Sequence, residues 1–323
     1  MTSQIKPSVG VIGLGIIGSR VVANLRREGV SVFVWNRSPK VESNFLSSPL
    51  EVAEAADIVQ IFVCDGGALI EALRQMSPAL TAGHVILNHA TISPAETREA
   101  AEMVAKRGAQ FLDAPFTGSR DAAVDGKLVY YIGGSPKVLE SVRPILKISS
   151  QEILMMGPIG AATYVKLATN LINAAQVQGL AEALELLTVG DVPLHRIAEA
   201  LQHNVARSDV IDMKLLQILK ADFEPRFSSK NMLKDLQIIL RLMAARDVHL
   251  PAAEGAAVAL AETLERGWGE SDYSVVACRY SYPGKDHHLP LSKTSYRTTG
   301  DQREKRVAGS LRKTFMERFF FWL

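Results

Sequence analysis

Two small constellations in this chain have the residue types and spacing to do chemistry. The first is Gly13-Leu14-Gly15-Ile16-Ile17-Gly18, which follows a short apolar run and precedes a helical pattern. In a G-x-G-x-x-G turn the first glycine makes the bend, the second lets backbone approach a pyrophosphate, and the third lets helix pack on strand. The pyrophosphate then rests on free N–H groups at the helix start. A tight βα turn without ligand uses the same glycines. What favours a dinucleotide is the second strand, residues 30–35, which completes a βαβ unit.

The end of that second strand selects the cofactor. NAD needs an acidic residue there for the ribose 2′-OH, whereas an arginine accommodates the 2′-phosphate of NADP. The chain has Asn36-Arg37-Ser38 and no carboxylate before Glu42. Arg37 can meet a phosphate with its planar fork, and Asn36 and Ser38 can donate to it. NADP(H) is therefore expected rather than NAD, with a solvated loop arginine as the alternative.

The second constellation is Lys166 with Asn170 four residues later, on one face of a helix. A lysine among Tyr164, Val165, Leu167 and Ala168 is partly desolvated, which lowers its pKa toward the range of a working general acid. By helix position alone, a lysine snorkelling to solvent is the competing reading.

These groups need a scaffold, and the pattern supplies one. Strands at residues 57–63, 84–87, 109–113, 128–132 and 151–155 alternate with helical segments, which predicts a parallel, doubly wound α/β Rossmann sheet. Ligands bind such sheets at the carboxyl ends of the strands. Val63 and Thr91 lie at such ends and are cofactor-contact candidates, although Thr91 also suits the start of the helix capped by Ser93 with Pro94 after it. His89 has no evident partner and is expected to be structural. The segment Pro115-Phe116-Thr117-Gly118-Ser119 reads either as an ordinary irregular loop or as an anion-binding nest.

Past residue 160 the period changes to helical, with a pattern over residues 161–189 that has no breaker except Gly179, and four further helices. The expected organisation is a cofactor domain at residues 1–158, an all-α domain at 159–278 and a basic tail at 279–323. At 323 residues there is room for two cores. A net charge of +2 is too small to imply nucleic acid, and no run approaches a membrane span. Two cysteines without metal spacing suggest a reducing compartment, no metal and a cytoplasmic protein.

With these residues in hand the chain resembles the β-hydroxyacid dehydrogenases, with an NADP-binding domain of the 6-phosphogluconate dehydrogenase type. The family includes 3-hydroxyisobutyrate dehydrogenase, tartronate semialdehyde reductase, and glyoxylate and succinic semialdehyde reductases. Four motifs occur in the family's order: GLGIIG at 13–18, DAPFTGS at 113–119, GPIGAATYVKLATN at 157–170 and KNMLKDLQI at 230–238. The resemblance implies that Lys166 protonates a carbonyl oxygen while hydride arrives from nicotinamide, and that Asn170 holds the substrate. It implies that Thr117, Gly118 and Ser119 bind the substrate's carboxylate, that Lys234 reaches the cofactor from the helical domain, and that Thr91 lies beside the nicotinamide. Asp235 is expected to be structural. A small anionic substrate and a homodimer or homotetramer follow from the same likeness.

The chain departs from the family at Ile17, Ala90, Phe116-Thr117 and Ser119, and the bulky Phe116 is expected to reshape the pocket. Imine reductases share the fold but commonly carry Asp or Tyr at the position of Lys166. A noncatalytic NADP-binding scaffold, as in one nuclear branch, typically loses that lysine. The presence of Lys166 and Asn170 argues against both. The tail carries ten Lys or Arg against four Asp or Glu and ends in FFFWL. Its readings are a disordered segment, an interfacial helix or sequence without an evolved role.

Overall fold

The computed structural model describes residues 8–280. The expectations for the tail concern residues outside these, apart from Arg279 and Tyr280. The first half alternates β1 (Val9–Ile12), α1 (Gly18–Arg27), β2 (Val32–Trp35), α2 (Pro49–Ala55), β3 (Ile58–Ile61), α3 (Gly66–Met76), β4 (Val85–Asn88), α4 (Pro94–Ala105) and β5 (Gln110–Asp113). Then come β6 (Phe116–Thr117), α5 (Arg120–Val124), β7 (Leu128–Gly133), α6 (Pro136–Lys147) and β8 (Ser150–Gly157).

Strands β2, β1, β3, β4 and β5 lie side by side and parallel. All four residues of β1 and of β3 are buried, as expected of strands covered on both faces. One apolar cluster joins the sheet to α1 and α6 through Val21, Leu25, Val142 and Leu146. The other joins it to α3 and α4 through Leu69, Leu73, Ala100 and Val104.

The sheet is not wholly parallel, and this corrects the expectation. Gly133 of β7 pairs antiparallel with Asp113, and Tyr130 and Val129 pair antiparallel with Phe116 and Thr117 of β6. Strand β8 runs parallel to β7, so both oppose β1 to β5. A parallel return needs a crossover of a dozen or more residues, usually a full helix. Only residues 118–127, with the short α5, separate β6 from β7, too little for such a crossover, and the two strands pair as a broad hairpin. What read as an irregular loop at residues 115–119 is accordingly β6 followed by the capped start of α5.

The reversal has a positional result. Because Asp113, Gly133 and Gly157 share one level across β5, β7 and β8, the chain leaves β8 at the edge where the parallel strands also end. There Gly160, at φ +91°, starts α7 (Ala161–Val189). The buried Asp113 carboxylate accepts from the backbone N–H of Gly160 at 3.2 Å and of Thr163 at 2.9 Å, and from the Thr163 hydroxyl at 2.9 Å. Helix α7 has no acidic residue in its own first turn, so Asp113 supplies the anion favoured at a helix N-terminus.

Helices α8 (His195–Gln202), α9 (Asp209–Leu219), α10 (Ser229–Ala244) and α11 (Pro251–Glu265) follow, and a 3₁₀ helix at Tyr273–Arg279 ends the described chain. Helix α7 packs against α9, α10, α11 and the 3₁₀ turn. Arg279, expected to begin the tail, instead closes that turn and pairs with Glu262 at 2.8 Å. Among the described residues no helix is long and apolar enough to cross a membrane, and no cluster of three or more His, Cys, Asp or Glu could hold a metal.

Candidate active site

The Gly-rich turn sits at the end of β1. A Cβ at Gly13 would lie 2.1 Å from the Phe62 carbonyl oxygen, and one at Gly18 would lie 2.0 Å from the Gly13 oxygen. Backbone packing of the protein therefore demands those two glycines. At Gly15, which is exposed, a Cβ would meet nothing within 4 Å. Nothing in the protein requires glycine there, whereas a pyrophosphate approaching the backbone does, so the turn fits a dinucleotide.

Beside it, the Asn36 side chain accepts from the Leu14 N–H at 2.9 Å and donates to the Ser38 carbonyl at 2.7 Å. Its amide thus fixes the turn to the end of β2 and leaves Arg37 and Ser38 as the exposed groups. Lys40, not singled out from sequence, donates to the Leu14 carbonyl across the same turn. Ile16 is exposed and Ile17 half-buried at the start of α1, and Val63 lies half-buried two residues past β3.

The second group forms where α7 meets α10. Asn170 is buried, and its amide donates to Asp235 Oδ2 at 2.6 Å. Lys234 Nζ stands 2.8 Å from Asp235 Oδ1 as an ion pair without hydrogen-bond alignment, and it donates to the Thr91 carbonyl. Helix α10 is thereby tied to the carboxyl end of β4. Lys166 is half-buried. Desolvation pushes its pKa down to about 8, against the attraction of Asp235 and with a smaller push from Lys234. Lys166, Asn170, Lys234 and Thr91 are brought together, and the Asp235 carboxylate joins them, facing the lysine.

The third group is the turn after β5. Thr117 is half-buried in β6, and Gly118 takes φ +134° with a would-be Cβ 2.8 Å from Leu128 Cδ2. The Ser119 hydroxyl caps α5 by accepting from the Ala122 N–H at 3.2 Å. Phe116 is half-buried in β6. Its ring packs among Phe62, His89 and Tyr130, with centroids 6.1, 6.5 and 6.4 Å away, because an apolar core lies directly under β6.

His89 is structural, as expected, and its partners are now evident. It stacks on Phe62 at 4.3 Å, and its Nδ1 donates to the Ala114 carbonyl at 2.6 Å. Its Nε2 lies 3.1 Å from the buried Gln60 side-chain amide oxygen. Burial pushes its pKa down to about 4, against the Ala114 hydrogen bond. His89 is therefore neutral near pH 7 and is no rival to Lys166 as proton donor.

Residues 8–157 match the NAD binding domain of 6-phosphogluconate dehydrogenase, and residues 160–280 match the NAD-binding domain of NADP-dependent 3-hydroxyisobutyrate dehydrogenase. The 2-hydroxy-3-oxopropionate reductase of Escherichia coli K12 is 30% identical over 253 residues, covering 75% of this chain and 86% of that protein. This chain belongs to the β-hydroxyacid dehydrogenase family. It is accordingly an oxidoreductase by family, with a nicotinamide cofactor. The 2-(hydroxymethyl)glutarate dehydrogenase of Eubacterium barkeri is 28% identical over 83% of this chain and 93% of its own. In fold, 3-hydroxyisobutyrate dehydrogenase from Mycobacterium tuberculosis superposes with a TM-score of 0.78 at 24% identity, covering 85% of this chain and 99% of that one.

Sequence reasoning missed Asp113 as the anchor of α7, Lys40 over the Gly-rich turn, and the contact of Arg120 with Glu224. The first carried a signal, since Asp113 is a strand-end carboxylate in the DAPFTGS motif. The other two depend on contacts between segments that no local pattern relates.

Proposed function

We propose that this β-hydroxyacid dehydrogenase is an NADP(H)-dependent reductase of a small aldehyde or keto acid, with Lys166 as its proton donor. The observation that carries the reading is the half-buried Lys166 early in α7, its ammonium lowered to about 8 by desolvation and faced by Asp235 of α10. A general acid works best with a pKa near the operating pH. When bound, the cofactor supplies the hydride.

The chain's own residues do the remaining work. Lys166 delivers a proton to the carbonyl oxygen and, in reverse, removes one from a 3-hydroxy acid. Asn170, set by Asp235, orients the substrate, and the turn at Thr117, Gly118 and Ser119 holds its anionic group. The cofactor lies along Gly13 to Gly18, with Val63, Thr91 and Lys234 bordering it. Arg37 and Ser38 meet the 2′-phosphate, Asn36 holds their strand end to the turn, and the absence of a carboxylate there disfavours NAD.

A homodimer or homotetramer is part of the same reading. Helix α8 has no buried residue, and Leu186 and Val189 near the C-terminal end of α7 are 72% and 75% exposed. An apolar face of this kind marks an association surface.

The test is a panel of glyoxylate, succinic semialdehyde, tartronate semialdehyde and 3-hydroxyisobutyrate with both cofactors. The expected result is NADP(H)-dependent turnover of at least one. Binding of NADPH without turnover of any would support a noncatalytic scaffold instead, and turnover of cyclic imines alone would support an imine reductase.

A further inference from the structure

Arg120 is the first residue of α5 and follows Ser119 directly. Its Nη1 lies 2.5 Å from Glu224 Oε1, and its Nε lies 3.4 Å from Asp121 Oδ1. Glu224 belongs to the connection between α9 and α10, 104 residues along the chain. That connection is held from beneath. Asp272 is fully buried, accepts from the N–H groups of Arg226 at 3.1 Å and Phe227 at 3.2 Å, and is neutralised by the buried Lys214 at 2.7 Å. Glu224 is thus presented to Arg120 by a fixed segment, and the next helix carries Lys234 and Asp235.

The turn expected to bind an anion contains no cation of its own. Thr117 and Gly118 are neutral, and the Ser119 hydroxyl, which accepts from the Ala122 N–H, can donate its proton but brings no charge. Arg120 is the adjoining positive charge, and a carboxylate already occupies it. The pair is exposed on the Glu224 side, where the side chain is 64% accessible. Such pairs stabilise little, because a released carboxylate is well solvated. Exchanging one carboxylate for another on a guanidinium therefore carries a small penalty, and the planar fork suits either one.

Resting on the reductase reading, we infer that Arg120 is a specificity-determining residue: it takes the carboxylate of the substrate, and Glu224 is a built-in competitor that this carboxylate displaces. The consequence is selectivity by exchange. An uncharged aldehyde leaves the Arg120–Glu224 pair in place and gains nothing from it, whereas a semialdehyde bearing a carboxylate replaces one charged partner with another.

The test compares R120Q and E224Q in the full-length protein, since both break the same ion pair from opposite sides. With NADPH saturating, R120Q should raise the KM for succinic semialdehyde by roughly tenfold or more, the range of a lost hydrogen bond between charged groups. E224Q should lower that KM. Neither should shift the KM for pentanal comparably. Titration calorimetry of succinate, a non-reacting dicarboxylate, into the NADP⁺-saturated protein should show the same opposed signs. If R120Q and E224Q weaken semialdehyde and succinate binding alike, the pair is only a strut between the two segments and the inference is overturned. If succinate shows opposed signs but no carbonyl compound is turned over, Arg120 stands and the reductase reading falls.

Discussion

The buried amide of Asn170 donates to the Asp235 carboxylate at 2.6 Å, while that carboxylate also faces the Lys166 ammonium. One anion on α10 therefore sets both polar groups that α7 presents to the site. Replacing it as Asp235→Asn removes the attraction that opposes desolvation of Lys166. The lysine pKa should fall further, and the alkaline limb of the reductive pH–rate profile should move to lower pH. An unmoved limb, read from kcat/KM across pH 6 to 10, would detach Asp235 from the lysine.

Lys166 titrates near 8, below the ordinary lysine value of 10.5, because burial disfavours its charged form. If Lys166 is the proton donor proposed above, reduction uses its protonated form, so reductive activity should be full below about 8 and fall as pH rises through it. Oxidation of a 3-hydroxy acid uses the neutral amine and should rise through the same value. Lys166→Ala should cut kcat at least ~10²-fold, typical of a lost general acid, with NADPH affinity measured by fluorescence titration nearly intact. Undiminished turnover in that variant would remove Lys166 from the chemistry.

Arg37→Ala should weaken NADPH and leave NADH almost untouched. Hydrogen bonds to a charged group contribute roughly 1.5–3 kcal/mol, so the NADPH KM should rise about ten- to a hundredfold. Equal losses with both cofactors would place the 2′-phosphate elsewhere.

Asp113 is held up at about 6, mainly by burial and against the hydrogen bonds from Thr163 and Gly160. The folded state thus binds this proton more tightly than the unfolded chain, whose carboxyl titrates near 3.8. The contribution of the group to stability is full below 3.8 and is lost as pH rises through 6. Asp113→Ala should remove that slope from the urea midpoint. At neutral pH it should still destabilise by roughly 1–3 kcal/mol, because the N–H groups at the start of α7 lose their acceptor. An unchanged midpoint at pH 7 would show that α7 does not depend on this anchor.

Leu186→Asp and Val189→Asp together should convert the assembly to monomer in light scattering while leaving far-UV dichroism unchanged. A monomeric parent protein would refute the association surface outright.

Much of this architecture was legible because local chemistry decided it. Helix α7 runs Ala161–Val189 as its helical period predicts, and Ser93 with Pro94 marks the start of α4, completed by the Glu96 capping box. Strand direction was not legible. The apolar run at β7 is the same whichever way it pairs, and only the short α5 betrays the hairpin. The site divides similarly. Glycine spacing and the Lys166–Asn170 interval lie within single elements, whereas Asn170 with Asp235 and Arg120 with Glu224 join residues 65 and 104 positions apart. Such pairs exist only after the fold has assembled them.

Helix α7 is rooted by Asp113 at the edge of the sheet where the parallel strands end, and its 29 residues span about 43 Å. Its far tip therefore stands about 35 Å from Lys166. A lineage can lengthen, truncate or recharge that tip while Lys166 stays where the anchor put it. The same separation makes residues 186–192 a suitable place to graft a fluorophore or an immobilisation handle that reports on assembly without disturbing turnover.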